Sequence, residues 1–313
     1  MHKVSVIIPN YNHAKFLQKR IESVLNQTFT DFEVIIMDDC STDDSREIIE
    51  TYAQKDKRIK LIFNPTNSGS TFKQWNKGVR LSKGKYIWLA ESDDYADRNF
   101  LEVLVKKLDA HPKAALVFSQ SYMVDEYSNN LGILTEVMNN ISPYFPWQRD
   151  FTLESKSVIA SLFMDYNFIP NASAVLFKKS VFEQIGRADE SYIQAGDWLM
   201  WLKFGLHSPI CFSYPPLNFF RFHNNNVRSK TKKIQYYEYF KIMYFVYKQK
   251  HLDSTVRTKA KHKMLLYRKK CLENEKQIGL YKIYKISFIV YIIGYTDRLK
   301  SCLKNIRMNK SLL

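Results

Sequence analysis

The chain has 313 residues, of which 45% are hydrophobic and 15% aromatic. That is enough to bury a sizeable core and excludes global disorder, and the length suits one large α/β domain with an appendage, or two domains. The formal net charge is +16, but residues 1–229 hold 26 basic and 26 acidic side chains while residues 230–313 hold 21 and 5, so the body is neutral and an anionic partner, membrane surface or nucleic acid, belongs to the tail.

In chain order, Val4–Ile8 is a β-branched run that reads as a buried strand, closed by a loop at Pro9, Asn10, Tyr11 and Asn12. Residues 14–26 place Phe16, Leu17, Ile21, Val24 and Leu25 at helical spacing. A second strand, Phe32–Met37, ends in Asp38 and Asp39, and Ser41 and Asp44 mark the start of a helix through Ile48, Ile49 and Tyr52. Ile59–Phe63 is a third strand, Asn67–Gly69 a turn, and Trp75, Val79 and Leu81 share one helical face.

Tyr86–Ala90 is a fourth apolar strand followed at once by Glu91, Asp93 and Asp94. Carboxylates held this close repel one another, and a divalent cation with oxygen ligands relieves the repulsion. An acidic turn capping the helix that begins near Asp97 is the alternative reading of the same residues. That helix carries Phe100, Leu101, Leu104 and Leu108, stops at Pro112, and leads to a strand at Ala114–Ser119. Alternating strands and helices predict a mostly parallel sheet, whose right-handed crossovers set Pro9–Asn12, Asp38–Asp39 and Asp93–Asp94 along one edge. No glycine-rich dinucleotide fingerprint or phosphate loop occurs, so phosphate charge falls to a metal or to cationic side chains.

Past residue 120 the pattern weakens to a hairpin over 122–134 and an aromatic loop at Pro143–Trp147. A strand at Asn171–Phe177 and a helix at Lys178–Ile185 follow. Asp197 stands before Leu199, Trp201, Leu202 and Phe204, where by itself it reads as a helix N-cap. Ile210–Phe220 reads as a last strand interrupted at Pro215 and Pro216. Beyond Lys230 the chain is helical, basic and rich in tyrosine; an amphipathic surface on an anionic bilayer and a packed helical subdomain with solvated charges fit it equally. Cys40, Cys211, Cys271 and Cys302 lack paired spacing and read as reduced thiols of a cytosolic protein without a zinc site. No signal peptide precedes the first strand, and no apolar run is long enough to span a bilayer.

Five blocks, VSVIIPNYN (4–12), FEVIIMDDCSTD (32–43), NSG (67–69), WNKG (75–78) and GKYIWLAESDD (84–94), resemble in order and spacing the signatures of family 2 glycosyltransferases. The resemblance implies a GT-A fold, an α/β Rossmann-like and mostly parallel central sheet flanked by helices, with a C-terminal helical extension. It implies a catalytic domain at 1–229, divided into a nucleotide-sugar half (1–120) and an acceptor half (121–229), and an extension at 230–313.

By the same resemblance the activity is inverting transfer from a nucleotide-diphosphate sugar, UDP-sugar favoured, to a hydroxyl of a glycan or lipid-linked acceptor. Pro9, Tyr11, Asn12 and Asn67 would line the nucleotide site, Asp39 would accept from the base, and Asp93 would bind ribose. Asp94, with Asp93, Glu91 and His223, would hold Mn²⁺ or Mg²⁺. Asp197 would be the base, in a block where Gly196 replaces the family's usual Glu, and Glu91 stands where the metal motif usually begins with Asp. Arg221 and Arg228 would face the diphosphate from a loop of the Arg-x-His type. The expected location is cytoplasmic, peripheral at the inner membrane face, with 230–313 on the anionic surface. A non-catalytic nucleotide- or nucleic-acid-binding protein is the alternative, disfavoured by the neutral body and the acidic cluster, and a degenerate transferase is another.

Overall fold

The computed structural model describes residues 2–141, 145–223, 234–274, 278–279 and 281–294. The chain divides into two compact units, residues 1–226 and 227–313.

The first unit is built on the strands the apolar runs predict: β1 (Val4–Asn10), β2 (Phe32–Asp38), β3 (Ile59–Phe63) and β4 (Tyr86–Leu89). These pair in parallel in the order β3-β2-β1-β4. Helices α1 (Ala14–Leu25), α2 (Ser45–Lys55) and α3 (Thr71–Leu81) make the crossovers. On one face Val4, Val6 and Ile8 of β1 meet Leu17, Ile21 and Val24 of α1, all with no solvent exposure, and each such side chain contributes about 1.5–3 kcal/mol. On the other face α3 comes so near that a Cβ on Gly78 would lie 2.5 Å from Ile7 Cγ2. Only glycine permits that spacing.

The rest of the sheet is mixed. Beyond β4 the order runs β9 (Val175–Lys178), β6 (Leu116–Val124), β10 (Ile210–Arg221) and β5 (Tyr95–Ala96). Strand β9 is antiparallel to both β4 and β6, so a strand from late in the chain separates two that the alternating pattern sets side by side. It also begins later than its apolar run implies, because Asn171 caps a 3-10 turn at Ala172–Ala174, its side chain accepting from the Ser173 N–H. Strand β10 pairs in parallel with β6 and shifts register around Pro216, where proline cannot donate to the ladder.

The hairpin forms as β6 with β7 (Asn130–Ile133). After it come elements without a strong sequence pattern: α5 (Leu134–Ile141), the three-residue β8 (Phe151–Leu153) and α6 (Lys156–Asp165). Trp147 of the aromatic loop is buried against Phe145, Phe168 and Phe212; Pro143 and Tyr144 lie outside the described residues. Helices α4 (Phe100–Ala110), α7 (Lys179–Gln184) and α8 (Gly196–His207) complete the unit.

The second unit contains helices Gln235–Lys248 and Ser254–Glu273, packed on each other, and a helical stretch at 281–294. That stretch buries Ile283, Ile286 and Ile293 but leaves Tyr281, Tyr284, Phe288 and Tyr291 between 66% and 79% exposed. No helix among the described residues is long and apolar enough to cross a membrane. Cys40, Cys211 and Cys271 are free thiols, and Cys302 lies outside the described residues.

Candidate active site

Because β1, β2 and β4 are adjacent and parallel, their carboxyl ends open on one edge, as the alternating pattern predicts. Asn10 Nδ2 donates to Asp38 Oδ1 at 2.9 Å, and the Asp39 N–H donates to the Asn10 carbonyl at 2.9 Å. The residues after the first two tips, Asn12 (φ 55°) and Cys40 (φ 64°), are left-handed, a conformation L residues hold only when their surroundings enforce it. At Asn12 the enforcement is visible: its N–H donates to Ser41 Oγ and its Oδ1 accepts from the Thr42 N–H.

Asp39 is buried, its Oδ1 accepting from Asn64 Nδ2, the Ser68 N–H and Gln74 Nε2, and its Oδ2 from Ser68 Oγ. Pro9 is buried in β1 and Tyr11 is 45% exposed at the rim. Asn67 accepts from the Gly69 N–H, forming an Asx turn that orders the loop before α3.

The acidic stretch after β4 is organised around a cation that the sequence reading missed. Arg20 of α1 has no solvent exposure; its Nε donates to the Glu91 carbonyl and its guanidinium lies over Trp88. Burial lowers Arg20 to about 10 even though Asp94, Asp93 and Glu91 hold it up. Glu91 Oε1 accepts from Trp75 Nε1 at 2.7 Å, while burial and the charge of Asp93 push its carboxyl up to about 8. Asp94 is raised to about 6 by burial and by Asp93, and both its oxygens receive donors, Oδ2 from Asn171 Nδ2 at 3.0 Å and Oδ1 from the Arg221 N–H at 2.8 Å.

Asp93 behaves oppositely. Burial would raise it, but a hydrogen bond from His223 and the nearby His13 bring it down to about 2. Its Oδ2 lies 3.0 Å from His223 Nε2, and its side chain keeps 21% exposure. His13, lowered first by burial and next to Phe16 and His223, has its Nδ1 2.8 Å from Ser92 Oγ.

Of the acids and histidine expected to hold a metal, Asp93 and His223 converge, while Glu91 Oε1 accepts one donor and each Asp94 oxygen accepts one. His13 joins the convergent pair: one donor atom from each of His13, Asp93 and His223 lies within 4.8 Å of the others. A carboxylate that keeps partial exposure beside two imidazoles fits a divalent ion. Arg221 is a clamp, with Nε on the Asp93 carbonyl, Nη1 on the Asp125 carbonyl and Ser128 Oγ, and its plane near Phe16. Arg228 lies outside the described residues.

Asp197 sits in the first turn of α8, whose N-cap is Ala195, so it is not the capping residue. Its Oδ2 accepts from Asn167 Nδ2 at 2.9 Å. A Cβ on the preceding Gly196 would fall 2.6 Å from the Phe72 ring; Phe72 occupies the space a larger side chain would need. Neither Asn167 nor Asn171 belongs to a motif that would single it out in the sequence. His13, directly after Asn12, was signalled only by its place at a strand tip.

A parallel edge at β1, β2 and β4, an acid cluster at the end of β4 and a carboxylate on α8 lie on an α/β fold of the GT-A class. The pattern described as glycosyl transferase family 2 matches residues 5–167, and the chain belongs to that family. An uncharacterized glycosyltransferase of Methanocaldococcus jannaschii is 29% identical over 262 residues, 81% of this chain and 82% of that protein. The poly(ribitol-phosphate) beta-N-acetylglucosaminyltransferase TarS of Staphylococcus aureus is 35% identical over 119 residues, 37% of this chain but only 21% of TarS. The structure of a TarS fragment with UDP-GlcNAc superposes with a TM-score of 0.66 at 18% identity, over 91% of this chain and 79% of that one. A mannosyltransferase from Pyrobaculum calidifontis, solved with GDP-Man and Mn2+, gives 0.55 at 12%, over 93% and 80%. At these identities the structural likenesses show the fold.

Proposed function

We propose that the protein moves a sugar, with inversion at the anomeric carbon, from a UDP-sugar to a hydroxyl of a glycan or lipid-linked acceptor in cell-surface polysaccharide synthesis. The observation that carries this reading is that Asn167 and Asn171, four residues apart, bind Asp197 and Asp94 respectively, which keeps a candidate base near the acid cluster. UDP as the nucleotide draws support from the TarS complex with UDP-GlcNAc.

Pro9, Tyr11, Asn12 and Asn67 shape the nucleotide pocket. Asp39 Oδ2 accepts the base N–H, since Oδ1 already takes three donors. Asp93 and His223 hold Mn²⁺ or Mg²⁺, which when bound neutralises charge on the departing diphosphate. Asp94, the acid the resemblance names first for the metal, lies next to Asp93 with one donor on each oxygen, and the Arg221 guanidinium adds positive charge to the site. Asp197 takes the acceptor hydroxyl proton as the new C–O bond forms and the bond to the diphosphate breaks.

Residues 230–313 rest on an anionic membrane surface at the cytoplasmic face. The exposed rings of Tyr281, Tyr284, Phe288 and Tyr291 recur at helical spacing beside Lys282 and Lys285, the composition of an interfacial helix.

The test is nucleoside diphosphate release from a panel of nucleotide-sugars with Mn²⁺ and a hydroxyl acceptor, with the product anomer read by NMR. Turnover of a UDP-sugar with inverted product is expected. Tight, salt-sensitive RNA binding with no turnover of any donor supports the non-catalytic alternative instead.

A further inference from the structure

We propose that His13 is a third protein ligand of the divalent cation, so that His13, Asp93 and His223 form a two-imidazole, one-carboxylate site that takes up a transition-metal ion before any nucleotide binds. This rests on the metal-dependent reading above and adds to it a residue outside the acidic motif and an order of binding.

Three geometric facts support it. Donor atoms of the three side chains already lie within 4.8 Å of one another, and this is the only such group among the described residues. The Asp93 Oδ2 to His223 Nε2 distance is 3.0 Å, and two donors at right angles on an ion with bonds of about 2.1 Å stand about 3.0 Å apart; an ion therefore replaces the shared proton without moving that pair. His13 has one ring nitrogen engaged by Ser92 Oγ at 2.8 Å, which leaves the second for the ion. Metal-bound imidazoles are commonly oriented by such an outer hydrogen bond.

The placement of His13 is itself built. Asn12, left-handed and tied to Ser41 and Thr42, turns the chain from the tip of β1 into α1 so that His13 faces Ser92 and the His223 ring, whose centroid is 5.7 Å away. This loop belongs to the nucleotide side of the site, so the β1 tip and the acid cluster would share one ion.

The donor set has chemical consequences. Two nitrogens and one oxygen favour Mn²⁺, Co²⁺ or Zn²⁺ over Mg²⁺. Three protein donors also leave coordination positions for diphosphate oxygens, and they hold the ion without help from the nucleotide.

The experiment uses the full chain without nucleotide. Calorimetry with Mn²⁺ alone, repeated with UDP, is paired with pulsed EPR that counts nitrogen couplings to bound Mn²⁺. Wild type is expected to bind one ion without UDP and to show two nitrogen couplings. His13→Gln should weaken that affinity at least about tenfold, since even outer-shell losses cost about 10–100-fold, and should leave one coupling with an unchanged circular dichroism spectrum. His223→Gln should do the same, and His13→Ala serves if the Gln variant misfolds. Two nitrogen couplings retained in His13→Gln overturn the proposal while the metal reading stands, as does binding of Mn²⁺ only when UDP is present. No Mn²⁺ binding by wild type with or without UDP removes the metal reading and this proposal together.

Discussion

Asp94 and Asp197, far apart in the chain, are both held by one five-residue segment: Asn171 donates to the first at 3.0 Å and Asn167 to the second at 2.9 Å. Fully extended, that segment separates the two asparagine Cα atoms by no more than about 14 Å. The arrangement ties the helix that carries the candidate base to the acid cluster through a single stretch of backbone.

Asp197→Asn preserves size and an oxygen that can accept from Asn167, but it cannot take a proton. Sugar transfer should fall by about 10²–10⁴ while the melting temperature stays near that of wild type. Steady-state UDP release with acceptor present checks this, and an active, folded Asp197→Asn protein removes Asp197 from the role of base.

Asn171→Ala removes the donor to Asp94 and the cap on the 3-10 turn that orients Ser173, whose Oγ accepts from the Glu91 N–H and whose carbonyl accepts from Trp88 Nε1. Losing two buried hydrogen bonds should cost about 2–4 kcal/mol. Urea unfolding measures it, and a cost below about 0.5 kcal/mol would show the segment to be dispensable.

Gly196→Glu, which restores the family's usual residue, should destabilise the fold by about 1–3 kcal/mol, because its Cβ meets the Phe72 ring at 2.6 Å. The double variant with Phe72→Ala should lose less than the sum of the two single changes. Strict additivity in the double-mutant cycle would mean that the two positions do not share that space.

Glu33 lies on buried β2 with 2% side-chain exposure and accepts from Lys60, Ser5 Oγ and the Lys83 N–H. Burial acts to raise its carboxyl, but these donors outweigh it and hold the folded value below the ordinary one. The sign follows: the contribution is present above the unfolded value of about 4.3 and is lost as pH falls through the folded value. Glu33→Gln should therefore cost about 1–3 kcal/mol at pH 7, with the gap to wild type closing in acid. A gap that stays constant from pH 7 down to pH 3 counts against the assignment.

Tyr284→Ser with Phe288→Ser should reduce binding to anionic vesicles by about tenfold or more and leave UDP release from the donor, with a soluble acceptor, unchanged. Binding to neutral vesicles should be weak for wild type, and added salt should weaken the anionic binding. Equal co-sedimentation of variant and wild type at all salts would place the membrane surface elsewhere.

The sequence was most legible where local pattern decides structure. Apolar runs located β1 to β4, and their polar tips placed the cluster edge. Pairing between distant segments is not local, so the antiparallel insertion of β9 left no trace in the alternating pattern. Helix α6 carries one local signal, Ser155, whose side chain accepts from the Val158 N–H. Arg20 was hidden because a charge within an apolar helical stripe is expected at the surface. The partners of Asn167, Asn171 and His13 exist only once the sheet is assembled. The acids are legible as a group, but their donors are not, because no spacing reveals them: Trp75 for Glu91, Asn171 and the Arg221 N–H for Asp94, His223 for Asp93.

The position of β9 also bears on how the chain is made. Strands β4 and β6 each need residues 175–178 as a partner, and β6 also needs β10 on its other side, so a polypeptide emerging from the ribosome displays raw strand edges until both stretches have followed. Unpaired edges template aggregation. A fragment ending near residue 120 is thus expected to be an insoluble product, not a stand-alone module, and the nascent protein should depend on chaperone shielding until β10, about a hundred residues on, has been made.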